Sequence, residues 1–313
     1  MTNEWALNGT PVAPGETAQV KLAIGSLPSG NKISILAHVF RSEQEGPTAL
    51  VLGGVHGDEI NGIEIVRRAI SGNLFQNLQA GTVIAIPILN VYGFINFSRD
   101  VPDGKDVNRS FPGNTAGSLA SRVARALSKK VLPLIDFGLD FHTGGRNYFN
   151  YPQIRYTPGD EKAKQLAQTF AAPYTLAYKT IPKSLRRTAL ETGKPILVYE
   201  GGESLRYSGH AIDFALSGLQ RVLHAKGMLS ESQPAQPSVH CKMTKWVRAA
   251  QAGLFLWEKS SGQQVKHGEV IGYINDPHGR SSDPVIAAFD GHIIGHNNAT
   301  VVSQGEALFH VAV

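Results

Sequence analysis

Residues 53–59 read GGVHGDE and follow the apolar run TALVL. His56 and Glu59 stand three positions apart, a spacing that brings two side chains to one point when a helix begins between them. The next segment, INGIEIVRRAI, carries Ile60, Ile63, Ile65, Val66 and Ile70 at close to the period of a one-faced helix. Glu59 is therefore expected in the first turn of that helix, where a carboxylate meets the positive end of the dipole. A His-x-x-Glu pair here serves a metal, or only a cap or an ion pair. The pair alone does not choose.

Two more apolar runs end in groups of the same kind, FGLDFH at His142 and ILVYE at Glu200. In open α/β sheets, ligand sites gather outside the carboxyl ends of the strands. Each group is ordinary by itself: a strand-end histidine is commonly a satisfied polar group, and a strand-end glutamate a surface ion pair. Three strands ending this way are harder to dismiss. Two histidines and a carboxylate, with a position left for water, are what a catalytic zinc requires. A carboxylate held outside the metal shell, Glu200, suits a general base. The loop SRDVPDGKDVNRSFPG adds Arg99, Asn108 and Arg109. A guanidinium fork matches a carboxylate, a neighbouring amide completes the grip, and a second arginine neutralises an oxyanion. The same loop also reads as a solvated turn around PDG, and composition leaves both readings open.

The elements that must position these residues alternate. AQVKLAIGSL, KISILAHVFR, TALVLGGVH, GTVIAIPIL, IDFGLDFH and KPILVYE read as strands, by β-branched content and alternation or as buried apolar runs. Helices are expected over about 59–70, in LASRVARALSKKVL, near 160–171 and over about 209–227. Residues 91–113 and the stretch TGGRNYFNYPQIRYTPGD read as loops. The pattern implies an α/β fold, a mostly parallel mixed sheet flanked by helices. ESQPAQPS, at 231–238, is linker-like. Short strands with glycine turns follow it, so the expected division is a catalytic α/β domain over 1–235 and an all-β domain over 236–313.

Composition narrows the class. With 313 residues, 42% apolar and 18% charged, the chain buries a sizeable core and has no apolar stretch long enough to span a membrane. The net charge of +5 comes from scattered Lys and Arg, without the basic and aromatic interleaving of a nucleic-acid surface. Such an excess suits solubility or attraction of small anions. The lone Cys241 excludes an internal disulfide framework and an all-cysteine zinc site. The N-terminal stretch lacks the basic and apolar regions of a secretory signal, so a cytoplasmic location is expected. No G-x-S-x-G elbow or GK[ST] phosphate loop is present.

GGVHGDE, KDVNRSFPG, DFHTGG and VYEGG, in that order, resemble the succinylglutamate desuccinylase/aspartoacylase family, which shares the zinc carboxypeptidase fold. The resemblance spans roughly residues 15–228. It implies one zinc ion per chain on His56, Glu59 and His142, with Glu200 as base and proton shuttle. It further implies Asn108 and Arg109 holding a substrate carboxylate, and Arg99 polarising the scissile carbonyl. The compact interval from Glu59 to His142 is similar to the acylases more than to the digestive carboxypeptidases. Arg146, Arg186 and Arg187 lie in segments that could also face the site.

The implied activity is hydrolysis of the linear amide of a small, carboxylate-bearing N-acyl amino acid or related amine. The alternatives are a carboxypeptidase or amidase acting on short peptides, and a binding protein on the same scaffold. An intact Glu200 argues against the last, since binding needs no base. A homo-oligomer is compatible with all three.

The C-terminal segment resembles the two halves of a lipoyl- or biotinyl-type barrel-sandwich. No lysine lies between Tyr273 and Ala287, so it is not a swinging-arm carrier. The expected use is to cover the rim of the catalytic cleft or to make oligomer contacts. His292 and His296, four apart in this region, are expected at the surface.

Overall fold

The computed structural model describes residues 5–313. Its centre is the strand Thr48–Gly53, buried along its whole length. Apolar side chains on both faces of a strand require cover on both sides. Ala49 and Val51 pack with Ile65 and Val66 of the helix Ile60–Ser71, Leu166 and Phe170 of Glu161–Phe170, and Ile212 and Leu219 of Gly209–Ala225. Leu50 and Leu52 point the other way, against Val123 and Leu127 of Leu119–Lys130 and Leu185 and Ala189 of Leu185–Glu191. The period of two thus builds a three-layer α/β/α sandwich.

Across the main sheet the strands run Thr17–Ser26, Lys32–Arg41, Thr82–Ile86, Thr48–Gly53, Phe137–Gly144, Ile196–Glu203, Tyr148–Tyr156, Gly291–Asn297, Ala307–Ala312 and Thr244–Arg248. From Thr82–Ile86 to Ile196–Glu203 the neighbours are parallel, and antiparallel pairs extend the sheet on both flanks. The sheet is mixed, with a parallel centre. Parallel strands send their carboxyl ends to one edge, which brings the turn after Gly53 beside His142 and Glu200.

Two segments read as loops hold regular structure. Residues 91–113 contain the helix Val91–Ile95 and a short 3-10 turn at Val107–Arg109. More consequentially, Tyr148–Tyr156 is a nine-residue strand despite Pro152 at its middle. Proline removes a ladder donor, but Pro152 sits where the ladder is already broken. On one side Gly291–Asn297 pairs only as far as Asn150 and Tyr174–Ala177 takes over from Gln153. On the other side the register with Ile196–Glu203 shifts between Glu200 and Gly202. The strand Tyr174–Ala177 and the helix Leu185–Glu191 were likewise not expected from the sequence.

Residues 231–238 carry no regular structure. Beyond them, Ser282–Ile286, Val270–Asn275, Gly253–Trp257 and Val301–Val302 form a four-stranded sheet. Phe255, Ile271, Ile274 and Val285 from this sheet pack on Val247, Ile293, Phe309 and Val311 from the end of the main sheet. The C-terminal segment is therefore a sandwich, one layer of which continues the main sheet. His296 corrects the surface expectation: it is buried, its Nδ1 accepts from Ser261 Oγ at 2.7 Å, and burial drives its pKa down to about 4. His292 is half-buried beside Tyr174, 3.2 Å from its hydroxyl.

Candidate active site

Glu59 occupies the N-cap position of Ile60–Ser71 rather than its first turn, and its carboxylate makes no cap hydrogen bond. It faces the two histidines instead. Oε1 lies 2.7 Å from His56 Nδ1, and Oε2 lies 2.8 Å from His142 Nδ1. Donor atoms of His56, Glu59 and His142 all fall within 4.8 Å of one another, and all three residues are buried. Close backbone packing makes this convergence. An added Cβ on Gly62 would lie 2.1 Å from the Phe141 carbonyl oxygen, so only glycine lets the helix settle this near the His142 strand.

The outer ring nitrogens are held by carboxylates. His142 Nε2 lies 2.8 Å from Asp140 Oδ2, and His56 Nε2 lies 3.1 Å from Asp106 Oδ1. Asp140 and His142 are two apart on one strand, which puts them on the same face. An Nε2–H donated to a carboxylate leaves the Nδ1 lone pair for a cation, the second layer of support usual around a metal. Two such nitrogens and a carboxylate match the donor set of a catalytic zinc site. Asp140 Oδ1 is buried without a partner among the described residues.

Electrostatics follow from this packing. Burial alone would lower the pKa of His142, but the charges of Asp140 and Glu59 and their hydrogen bonds raise it well above the ordinary histidine value. His56 is raised too, Glu59 and Asp106 overcoming its burial. Burial would raise Glu59, yet the two histidines hold it well below the usual carboxylate range. Asp106 is likewise held low, its burial outweighed by His56, Arg99 and Arg109.

Arg99 donates Nη1 to Glu59 Oε1 at 3.0 Å and Nη2 to Asp106 Oδ2 at 3.1 Å. Asp106 also takes the Asn108 backbone N–H at 2.6 Å, tying the 107–109 turn to the cluster. Asn108 Oδ1 accepts from the backbone N–H of Leu185 at 2.9 Å, at the start of a helix. That bond fixes the amide and leaves Nδ2 without a protein partner among the described residues. Arg109 has no carboxylate partner among the described residues.

Glu200 is the in-register neighbour of His142 on the adjacent parallel strand. Its Oε1 accepts from Arg155 Nη1 and its Oε2 from Asn150 Nδ2, each at 3.0 Å. Glu200, Asn150, Arg155 and the His56, Glu59 and His142 cluster border one cavity of about 570 Å³, within the range of small-molecule sites.

Arg146 and Arg186 also border the cavity, whereas Arg187 is half-exposed and pairs with Glu191. Arg186 is buried, with Nη2 on the Lys179 carbonyl at 2.9 Å and Nη1 unpartnered among the described residues. Burial, then the charge of Arg155, lowers its pKa to about 10. The C-terminal segment closes one wall with Trp246, Arg248, Ala307 and His310. The rings of Trp246 and His310 stack with centroids 4.2 Å apart.

Seven expected residues therefore border one cavity: His56, Glu59, Arg99, Asn108, Arg109, His142 and Glu200. Sequence reasoning missed Asp106, Asp140, Asn150 and Arg155. For Asp140 a signal was present, an acid two before a strand-end histidine.

Comparison with known proteins identifies relatives of the chain and of its fold. Residues 45–225 match the model of the succinylglutamate desuccinylase/aspartoacylase catalytic domain. The chain is 29% identical over 283 residues to an N-alpha-acetyl-L-2,4-diaminobutyric acid deacetylase of Halomonas elongata, covering 86% of this chain and 82% of the relative. Its fold is similar to a product-bound ectoine utilization protein of Ruegeria pomeroyi, with TM-score 0.85 at 24% identity, covering 95% of this chain and 94% of the other. A succinylglutamate desuccinylase/aspartoacylase structure from Rhodobacter sphaeroides gives the same TM-score, 0.85, at 24% identity, covering 95% of each chain.

Proposed function

Because the chain belongs to the succinylglutamate desuccinylase/aspartoacylase family, we propose that it is a zinc-dependent deacylase of small N-acyl amino acids or related amines. The observation that carries this reading is the convergence of His56, Glu59 and His142 with Glu200 in register beside them. His56, Glu59 and His142 would hold the zinc ion, which when bound would supply a Lewis acid to acidify water and polarise an amide carbonyl. Glu200 takes the proton from the attacking water and returns it to the leaving amine. Asn108 Nδ2 and the Arg109 guanidinium grip the substrate carboxylate, a planar match. Arg99 serves the scissile carbonyl oxygen when its Nη1 turns from Glu59.

Substrate size is read from the C-terminal wall. We take 1–235 as the catalytic unit and 236–313 as the part that narrows its cleft, through Trp246, Arg248 and His310. A narrowed cleft admits an acyl amino acid and stops an extended peptide. Arg186, buried with its Nη1 unpartnered among the described residues, offers a place for a second anionic group. The substrate named for the Halomonas relative, N-alpha-acetyl-L-2,4-diaminobutyric acid, carries a side-chain amine in place of a second acid.

The test is metal analysis, followed by release of amino acid from N-acetyl, N-formyl and N-succinyl amino acids. N-acetyl-diaminobutyrate, N-acetylaspartate and peptides of two to five residues complete the panel. About one zinc per chain and turnover of acyl amino acids are expected. Efficient cleavage of the longer peptides, with poor deacylation, would establish a peptidase instead.

A further inference from the structure

We propose that the C-terminal strand Gly291–Asn297 is a positioning element for the Glu200 carboxylate, acting through Asn150 and Arg155, and that Gly295 is the residue that makes room for it. This rests on the reading of Glu200 as the base.

Both donors to Glu200 sit on the strand Tyr148–Tyr156, and each traces back to the C-terminal strand. Arg155 directs Nη1 to Glu200 because its Nε and Nη2 are both spent on Gln153 Oε1, at 3.2 Å each. Its guanidinium also lies over the Tyr178 ring, 4.8 Å from the centroid. Gln153 is fully buried and is fixed by donating Nε2 to the Ile294 carbonyl at 3.1 Å.

The second arm is steric. Asn150 faces Gly295, and Gly295 faces His310 on its other side. A Cβ built on Gly295 would stand 2.8 Å from Asn150 Oδ1, with Phe149 O at 3.3 Å and His310 Cβ at 3.4 Å. The amide of Asn150 therefore leans over the space a side chain would fill, and Nδ2 is turned to Glu200. Only the nitrogen end can serve there, since a carboxylate accepts and does not donate. A carboxylate with each oxygen tied by one donor keeps its remaining lone pairs aimed in a fixed direction, which is what proton transfer from a positioned water needs.

Gly295→Ala isolates this arm. The φ of Gly295 is outside the left-handed region, so alanine fits its backbone. The one contact closer than 3.0 Å is the end of the Asn150 side chain, which can swing away. G295A, N150A, the double variant and E200Q are compared on the fastest N-acyl amino acid of the panel. Each is also measured for zinc content, Tm and the Asn150 side-chain amide signal in protein labelled with 15N-asparagine. That signal is assigned by its absence in N150A.

In G295A and N150A, kcat falls roughly tenfold to a hundredfold, the scale of a misplaced catalytic group, while KM, zinc and Tm hold. The double variant is no slower than N150A alone, and the amide signal moves in both G295A and E200Q. Wild-type kcat with an unmoved amide in G295A overturns the proposal, as do independent, multiplying losses in the double variant. If E200Q itself keeps wild-type turnover, the base reading fails. The amide signal then decides the positioning separately: unmoved in G295A, it overturns it, and moved there and in E200Q, it sustains it.

Discussion

Asp140 is the most enclosed acid against the metal-ligand cluster, 2% exposed, with Oδ2 2.8 Å from His142 Nε2. Replacing it separates the contribution of the outer layer from that of the ligands. A hydrogen bond to a charged group contributes about 1.5–3 kcal/mol, and a neutral one about half as much. Asp140→Asn keeps the shape and an acceptor, so His142 loses about 1 kcal/mol of hold, or about fivefold in zinc affinity. Asp140→Ala leaves Nε2 buried without an acceptor, which adds about 1–3 kcal/mol. The total, about 2–4 kcal/mol or roughly thirtyfold to several hundredfold, spans the upper part of the tenfold to hundredfold range for outer-layer changes and can pass it. The assay is competition for zinc against a chromophoric chelator at neutral pH, with circular dichroism confirming the fold. The expected order of affinity is wild type, Asp140→Asn, Asp140→Ala, then His142→Ala far below. A folded Asp140→Ala that binds zinc as tightly as wild type refutes the assignment of Asp140 as support for a ligand.

Glu200→Gln should retain zinc and Tm while kcat drops by roughly two to four orders of magnitude, the loss of a general base; steady-state kinetics with metal analysis checks both halves. Arg109→Ala should raise KM for carboxylate substrates far more than for the matching amides, and an equal change for both would remove Arg109 from the carboxylate site. Trp246→Ala, which opens the C-terminal wall, should raise the ratio of tetrapeptide to acyl amino acid turnover, read by amine release; an unchanged ratio means the wall does not select for size. Burial lowers the pKa of His296 to about 4 and of His310 to about 3, below the unfolded value of 6.5. The unfolded chain therefore binds more protons between those values, and stability falls as pH drops from 6.5 towards 4. Tm measured across that range should fall less in His310→Phe than in wild type.

The candidate metal cluster was legible in the sequence because its parts are local. His56 and Glu59 share a turn, and His142 and Glu200 each close an apolar run. The central sheet was legible for the same reason, as uninterrupted runs such as TALVL mark strands covered on both faces. The support for Glu200 was not. Arg155 and Asn150 lie in a segment whose proline argues against a strand, and its tolerance depends on partners 141 positions away, as in the Gln153–Ile294 contact. His296 escaped for a related reason. Its burial is decided by Ser261 and a sheet pairing, neither of which leaves a periodic trace near residue 296.

The pairing of Gly291–Asn297 with Tyr148–Tyr156 also sets an order of events during synthesis. A ribosome makes His56, Glu59, His142 and Glu200 before residue 291, so the candidate metal ligands and Glu200 are already present in a nascent chain whose Asn150 edge is still open. That edge presents unpaired N–H and C=O groups, the template on which strands of other chains can add. The strand Gly291–Asn297, made well after the cluster residues, is therefore what covers that edge. A chain stalled before residue 291 would carry the candidate metal ligands and an exposed adhesive strand together.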